Sequence, residues 1–173
     1  PTFKEFVYQQ YLPFIKSYKR SWQSDLKMIE NRMIRLWGQK RMNEIATQDL
    51  VNFQNGLVQG GFKPASANRY MALVKYIFNL AERWDVIDKA PTRNAKKLAD
   101  PVKRDRFLTD EELYRLLDAL DNCRSRVVAD IIRLLLLTGA RRSEVSGLRW
   151  DELDLERGFW TLPAERNKSK KEK

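Results

Sequence analysis

Apolar residues recur at intervals of three and four through most of the first half of the chain, the spacing of helices with one buried face. Phe3, Phe6, Val7 and Tyr11 form the first such stripe. Pro13 is expected to end it, because proline lacks an N–H and its ring crowds the preceding turn. Trp22, Leu26, Ile29, Met33 and Leu36 form the second stripe, with Ser21 placed as N-cap and Gly38 as stop. A third helix is expected from Thr47, as cap, with Asp49 suited to the positive end of the helix dipole and Leu50, Phe53 and Leu57 facing inward. Gly60-Gly61 breaks it. The fourth opens at Pro64, where a missing N–H costs nothing, and buries Tyr70, Leu73, Val74, Ile77, Ala81 and Trp84. Four amphipathic helices predict a helical domain over residues 1–87.

The pattern changes at residues 88–107, which carry two prolines, seven basic side chains and few large apolar ones. This segment reads as a basic interdomain linker, either lying along a polyanion or simply flexible. A second domain, 108–173, follows. Thr109-Asp110-Glu111-Glu112 is a capping box, and Leu113, Leu116, Leu117 and Leu120 supply the buried face behind it. Val127–Leu137 is apolar nearly all round and predicts a central helix ended by Gly139. A short helix around Ser143–Leu148 comes next. Phe159-Trp160-Thr161-Leu162 favours a strand, and a turn near Pro163 leads into a polar segment, the opening of a small antiparallel sheet. The fold expected is mainly α, with a four-helix first domain and an α+β second domain that stops before its sheet is complete.

Composition narrows the chemistry. The 173 residues contain one cysteine, Cys123, and no histidine, so histidine-based metal sites, cysteine zinc sites and Ser-His catalysis are excluded within this chain. No cofactor or metal is expected. No apolar run approaches the roughly 18 residues of a membrane span, so no membrane partner is expected. There is no signal-peptide pattern, and a reducing cytoplasm is the expected setting. Pro1 in place of Met suggests that residues precede it. The formal net charge is +10, but residues 108–164 are net acidic. The positive excess lies in the first half, the linker and the C-terminal tip, and nucleic-acid phosphate is the fitting polyanion. Helix starts are natural phosphate sites, because free amides and the dipole both favour an anion.

The chemistry is concentrated in Leu137-Thr138-Gly139-Ala140-Arg141-Arg142-Ser143-Glu144, continuing through Leu148-Arg149-Trp150-Asp151. A buried helix ends in Thr-Gly, an arginine follows two residues later, and Glu144 lies three residues on, able to orient its guanidinium. A planar fork held in that way suits two oxygens of one phosphate. As a bare Arg-x-x-Glu, with nothing else beside it, the pair reads as an ordinary surface ion pair.

This run resembles the first conserved box of the tyrosine recombinases, the phage-integrase family. The resemblance extends to Thr2–Tyr11, Lys19-Arg20-Ser21-Trp22, Pro64–Tyr70, Ile77–Ala81 and Arg106–Glu112. It implies a SAM-like core-binding domain that clamps duplex DNA, followed by the first part of a catalytic domain. The clamp resemblance makes the basic helix starts candidate DNA contacts: Lys19, Arg20 and Ser21, and Lys63, Ser66, Asn68 and Arg69, of which Asn68 and Arg69 could read base edges. For each, helix capping or a solvated surface is the alternative. It also implies a site-specific recombinase that breaks and rejoins DNA through a 3′-phosphotyrosine link, without metal or nucleotide, in integration or excision. Arg141 matches the family's first catalytic arginine and Glu144 the acidic residue supporting it. Lys168 is the best match to the lysine that protonates the leaving 5′-oxygen, with Lys170 and Lys171 close enough to compete. The family's second arginine box and nucleophilic tyrosine have no counterpart after Arg141, so this fragment is expected to bind DNA without cleaving it. The family implies a homotetramer on DNA for the complete protein; the fragment alone is expected to be a monomer in the bacterial cytoplasm, at the nucleoid. The alternative is a non-catalytic helical DNA-binding regulator, which gives no reason for Arg141, Glu144 and Lys168 to occur together.

Overall fold

Each apolar stripe becomes a helix, and the computed structural model, which describes residues 1–92, 96–99 and 106–166, shows what the stripes pack against. The chain divides into two compact units, Pro1–Arg104 and Asp105–Lys173.

In the first unit, Thr2 and Glu5 cap α1 (Phe3–Phe6) reciprocally, at 3.2 and 2.9 Å. A π turn (Val7–Tyr11) joins it to α2 (Leu12–Lys16), and the backbone stays helical throughout. Pro13 therefore does not end the helix, as its residue type had predicted. The wide π turn ends just before it with the Leu12 N–H bonded to the Val7 carbonyl, and the irregular ladder absorbs a residue that has no N–H to give. The second rod comprises α3 (Trp22–Met28), a π turn (Ile29–Ile34) and α4 (Arg35–Trp37). Its π turn rotates the buried face, so Trp37 is buried and Leu36, expected inside, is exposed. Ser21 precedes α3 but makes no side-chain cap bond; at φ −95°, ψ 26° it lacks the extended backbone that aims an N-cap oxygen at the free amides.

Helix α5 (Thr47–Gln59) starts one residue earlier than expected. Ala46 is its cap, and the Asp49 carboxylate reaches back to the Ala46 N–H at 2.9 Å. Leu50, Phe53 and Leu57 are buried as predicted. The helix closes on Gly61 at φ 83°, with Phe62 N–H bonded to the Leu57 carbonyl at 3.0 Å. Helix α6 (Pro64–Arg83) buries Leu73, Val74, Ile77 and Ala81 as predicted, while Tyr70 and Trp84 are only half-buried. Phe3 is the hub of the core, with its ring 5.9 Å from Trp37 and 6.1 Å from Phe78.

Within the segment read as a basic interdomain linker, residues 88–92 and 96–99 are tied back to this unit at several points. Ala90 and Thr92 are buried, as is Ile87 just before the segment. The Thr47 hydroxyl donates to the Pro91 carbonyl (2.8 Å), the Gln54 amide to the Lys96 carbonyl (3.1 Å), and Asn68 both donates to and accepts from the Leu98 backbone (2.9 Å each). Side chains of α5 and α6 thus satisfy a backbone that has no ladder of its own.

In the second unit, Thr109 and Glu112 form the predicted capping box at the start of α7 (Asp110–Asp121). Helix α8 (Arg126–Thr138) is capped by Ser125. Its expected all-round burial is not seen: Ala129 alone is buried, and Leu137 is 82% exposed. An all-apolar helix needs neighbours on every side, and the described residues of this unit supply them on one side. A short helix α9 (Arg142–Val145) follows, then the antiparallel pair β1 (Leu153–Asp154) and β2 (Phe159–Trp160), in register Leu153 to Trp160.

Candidate active site and nucleic-acid interface

Arg141 stands at a corner built by local chemistry. Gly139 closes α8 in the left-handed region at φ 62°, its N–H bonded to the Leu135 carbonyl at 3.0 Å. Two residues later Arg141 is the extended N-cap of α9. The buried Glu144 carboxylate holds it twice: one oxygen accepts the Arg141 backbone N–H at 2.8 Å, the other its Nη1 at 2.6 Å. The Arg141 side chain is 58% exposed against 4% for Glu144. A buried anion thus fixes the base of a cation whose outer edge meets solvent, an arrangement suited to receiving a dianionic or monoanionic phosphate group.

A second layer lies behind this corner. Arg166 donates from Nη2 to the Glu144 main-chain carbonyl at 2.7 Å and pairs through Nη1 with the buried Glu152 carboxylate. Trp160 Nε1 donates to the other Glu152 oxygen at 3.2 Å. Burial raises the Glu152 pKa, but the bonds from Trp160, Arg166 and the Arg149 amide outweigh it and hold the carboxyl below its usual range.

In the first unit, Lys19, Ser21 and Arg69 share a groove of about 400 Å³ with Tyr18, Asp25 and Tyr76. Lys19 is tied to the buried Asp25 at 2.5 Å, and the Tyr11 hydroxyl reaches the same carboxylate at 3.3 Å. Tyr18 and Tyr76 hydrogen-bond through their hydroxyls; partial burial and that bond push the Tyr18 phenol up to about 12. Lys63 and Ser66 lie exposed at the first turn of α6, and Arg20 is exposed beside the groove-lining pair.

Two family profiles match the chain: "Phage integrase, N-terminal SAM-like domain" over residues 8–84 and "Phage integrase family" over residues 106–173. The chain belongs to the phage integrase family. It is 32% identical over 123 residues to the integrase of Salmonella phage P22, covering 67% of this chain and 30% of that protein. It is 29% identical over 136 residues to the shufflon-specific DNA recombinase of Escherichia coli, covering 74% of this chain and 35% of that protein. Among solved structures, the fold matches a lambda integrase dimer bound to a COC′ core site (TM-score 0.82, 18% identity, all of this chain and 61% of that one). It also matches the Tn1549 transposon integrase bound to circular intermediate DNA (TM-score 0.70, 21% identity, 86% of this chain and 50% of that one). The chain spans about a third of the length of these curated relatives.

Set within that family, the site residues expected from sequence fare differently. Arg141 and Glu144 meet directly, and Lys19, Ser21 and Arg69 share one groove. Asn68 instead engages Leu98 with both atoms of its amide. Lys168, Lys170 and Lys171 lie outside the described residues. Sequence reasoning passed over Ser24, Lys27 and Asn31, which line a recess with Arg69 next to the groove. Their signal was present: they share one polar face of the second rod. It also passed over Arg166 and Glu152, whose pairing across 14 residues no local period reveals.

Proposed function

We propose that this chain is the DNA-clamping domain and the first part of the catalytic domain of a site-specific recombinase that cuts and rejoins DNA through a 3′-phosphotyrosine link. The observation that carries this reading is the exposed Arg141 guanidinium fixed at its base by the buried Glu144. In the reaction a tyrosine oxygen supplied by a later segment attacks the scissile phosphorus, the P–O5′ bond breaks, and the leaving 5′-oxygen takes a proton. Arg141 neutralises charge growing on the non-bridging oxygens, Glu144 keeps the fork oriented, and Lys168 supplies the proton. No metal or nucleotide is required, because the ester to tyrosine retains the bond energy for rejoining. The groove holding Lys19, Ser21 and Arg69, with Arg20, Lys63 and Ser66 nearby, grips the duplex backbone. The complete protein acts as a tetramer on two DNA sites in the bacterial cytoplasm. The chain by itself is monomeric and binds DNA without cutting it, because none of its tyrosines follows Arg141.

The test uses the full-length protein that carries this chain and a DNA duplex nicked near the exchange point, trapping the covalent adduct. Arg141→Ala should reduce adduct formation by on the order of 10²–10³-fold with DNA affinity nearly unchanged. Unchanged adduct formation would exclude Arg141 from the chemistry. A covalent adduct formed by this chain alone would refute the assignment of the nucleophile to a later segment.

A further inference from the structure

Helix α9, from which Glu144 holds Arg141, has only four residues. A helix that short is not rigid by itself, since nucleation fixes several dihedrals for very few hydrogen bonds. Its last carbonyls also lack partners inside the helix. One of them, the Glu144 carbonyl, receives the Arg166 guanidinium at 2.7 Å. Arg166 is drawn from beyond β2, across the turn after Pro163, and its other arm pairs with Glu152. Glu152 is held in turn by Trp160 on β2, and its own carbonyl accepts the Thr161 N–H at 2.9 Å. The guanidinium passes over Gly147, where a Cβ would lie 3.0 Å from Arg166 Nη2 and 3.3 Å from the Ser143 carbonyl. The lane is open because residue 147 has no side chain.

Resting on the recombinase reading above, we propose that Arg166 is a positioning residue for Arg141: by bridging the Glu144 main chain and the Glu152 carboxylate, it locks the α9 turn from which Glu144 aims the phosphate-binding guanidinium. Arg166 touches neither Arg141 nor DNA in this role; it acts through Glu144. A guanidinium is required, because one planar fork reaches two acceptors in different directions and an ammonium reaches one well. Glu152 is the counter-ion that keeps the buried arm charged and in place.

Two variants test this. Arg166→Lys keeps the charge and loses the bridge. Gly147→Ala leaves Arg166 intact and pushes its Nη2 aside. In the full-length protein, single-turnover adduct formation with saturating protein should fall by on the order of 10- to 100-fold for each, the scale of a misplaced catalytic group. DNA affinity should stay within about twofold, since the clamp residues are untouched. In the present chain labelled with ¹⁵N-arginine, the Arg141 Nε–H signal should broaden well below the melting temperature. A residue that merely stabilises the hairpin would lower the melting temperature and leave that signal and the rate unchanged below it; this outcome overturns the proposal. Arg141→Lys is the control. If that variant cleaves normally, the recombinase reading fails; if it is crippled while Arg166→Lys and Gly147→Ala react at the parent rate, only the positioning role fails.

Discussion

Replacing Asn68 with alanine separates two roles that one side chain cannot both fill. Sequence position at the start of α6 suggests a DNA contact, whereas its amide donates to the Leu98 carbonyl and accepts from the Leu98 N–H, both at 2.9 Å. Each such bond contributes about 0.5–1.5 kcal/mol net, so the local cost of releasing Leu98 is about 1–3 kcal/mol. Alanine's better helix propensity returns roughly 0.5 kcal/mol to α6, but this is not felt at Leu98, because the helix keeps it whether or not the segment is docked. The neighbouring ties from Thr47 to Pro91 and Gln54 to Lys96 remain, so the segment opens locally and not as a whole. Amide hydrogen exchange is the direct assay, because the Leu98 N–H is itself one of the two bonds. Its exchange should accelerate roughly 5- to 150-fold, the equivalent of that energy. Duplex affinity should change by less than about threefold, as expected for a residue without a phosphate contact. The reasoning is refuted if Leu98 exchanges at the parent rate while DNA affinity or base discrimination falls.

Other expectations follow from the same geometry. Gly139→Ala meets no atom within 4 Å but must hold φ 62°, so it should cost about 1 kcal/mol of unit stability, read by chemical denaturation; a neutral result would mean that the corner relaxes. Lys19→Ala and Arg69→Ala should each weaken duplex binding and reduce the slope of log affinity against log salt by about 0.9 if each meets one phosphate. An unchanged slope would remove that residue from the interface. Glu152 has a carboxyl pKa lowered in the folded state, so its contribution is complete above the unfolded value, about 4.3, and is lost as pH falls through the folded value. Acid titration followed by hairpin resonances should therefore loosen β1 and β2 below that range, and Glu152→Gln should remove the pH dependence.

What the amino-acid order determined by itself was everything that depends on near neighbours along the chain. Thr109 and Glu112 cap α7 because a hydroxyl and a carboxylate three residues apart satisfy each other's amides. Gly139 turns the corner because left-handed backbone suits a residue without Cβ, and Glu144 reaches Arg141 because three residues is one helical turn. The stripe Leu73, Val74, Ile77 and Ala81 is buried because helical period alone places it on one face. Tertiary structure decided the rest. Pro13 stays inside a helix and Trp37 displaces Leu36 from the core because π turns shift the register, and no local propensity announces a π turn. Pro91, Lys96 and Leu98 are tied down because Thr47, Gln54 and Asn68, 30 or more residues away, bond to their backbone. Arg166 finds Glu144 and Glu152 because the hairpin folds back over Gly147. Such partners are chosen by the packed chain, where a buried charge must meet its counter-ion, and linear spacing carries no trace of that requirement.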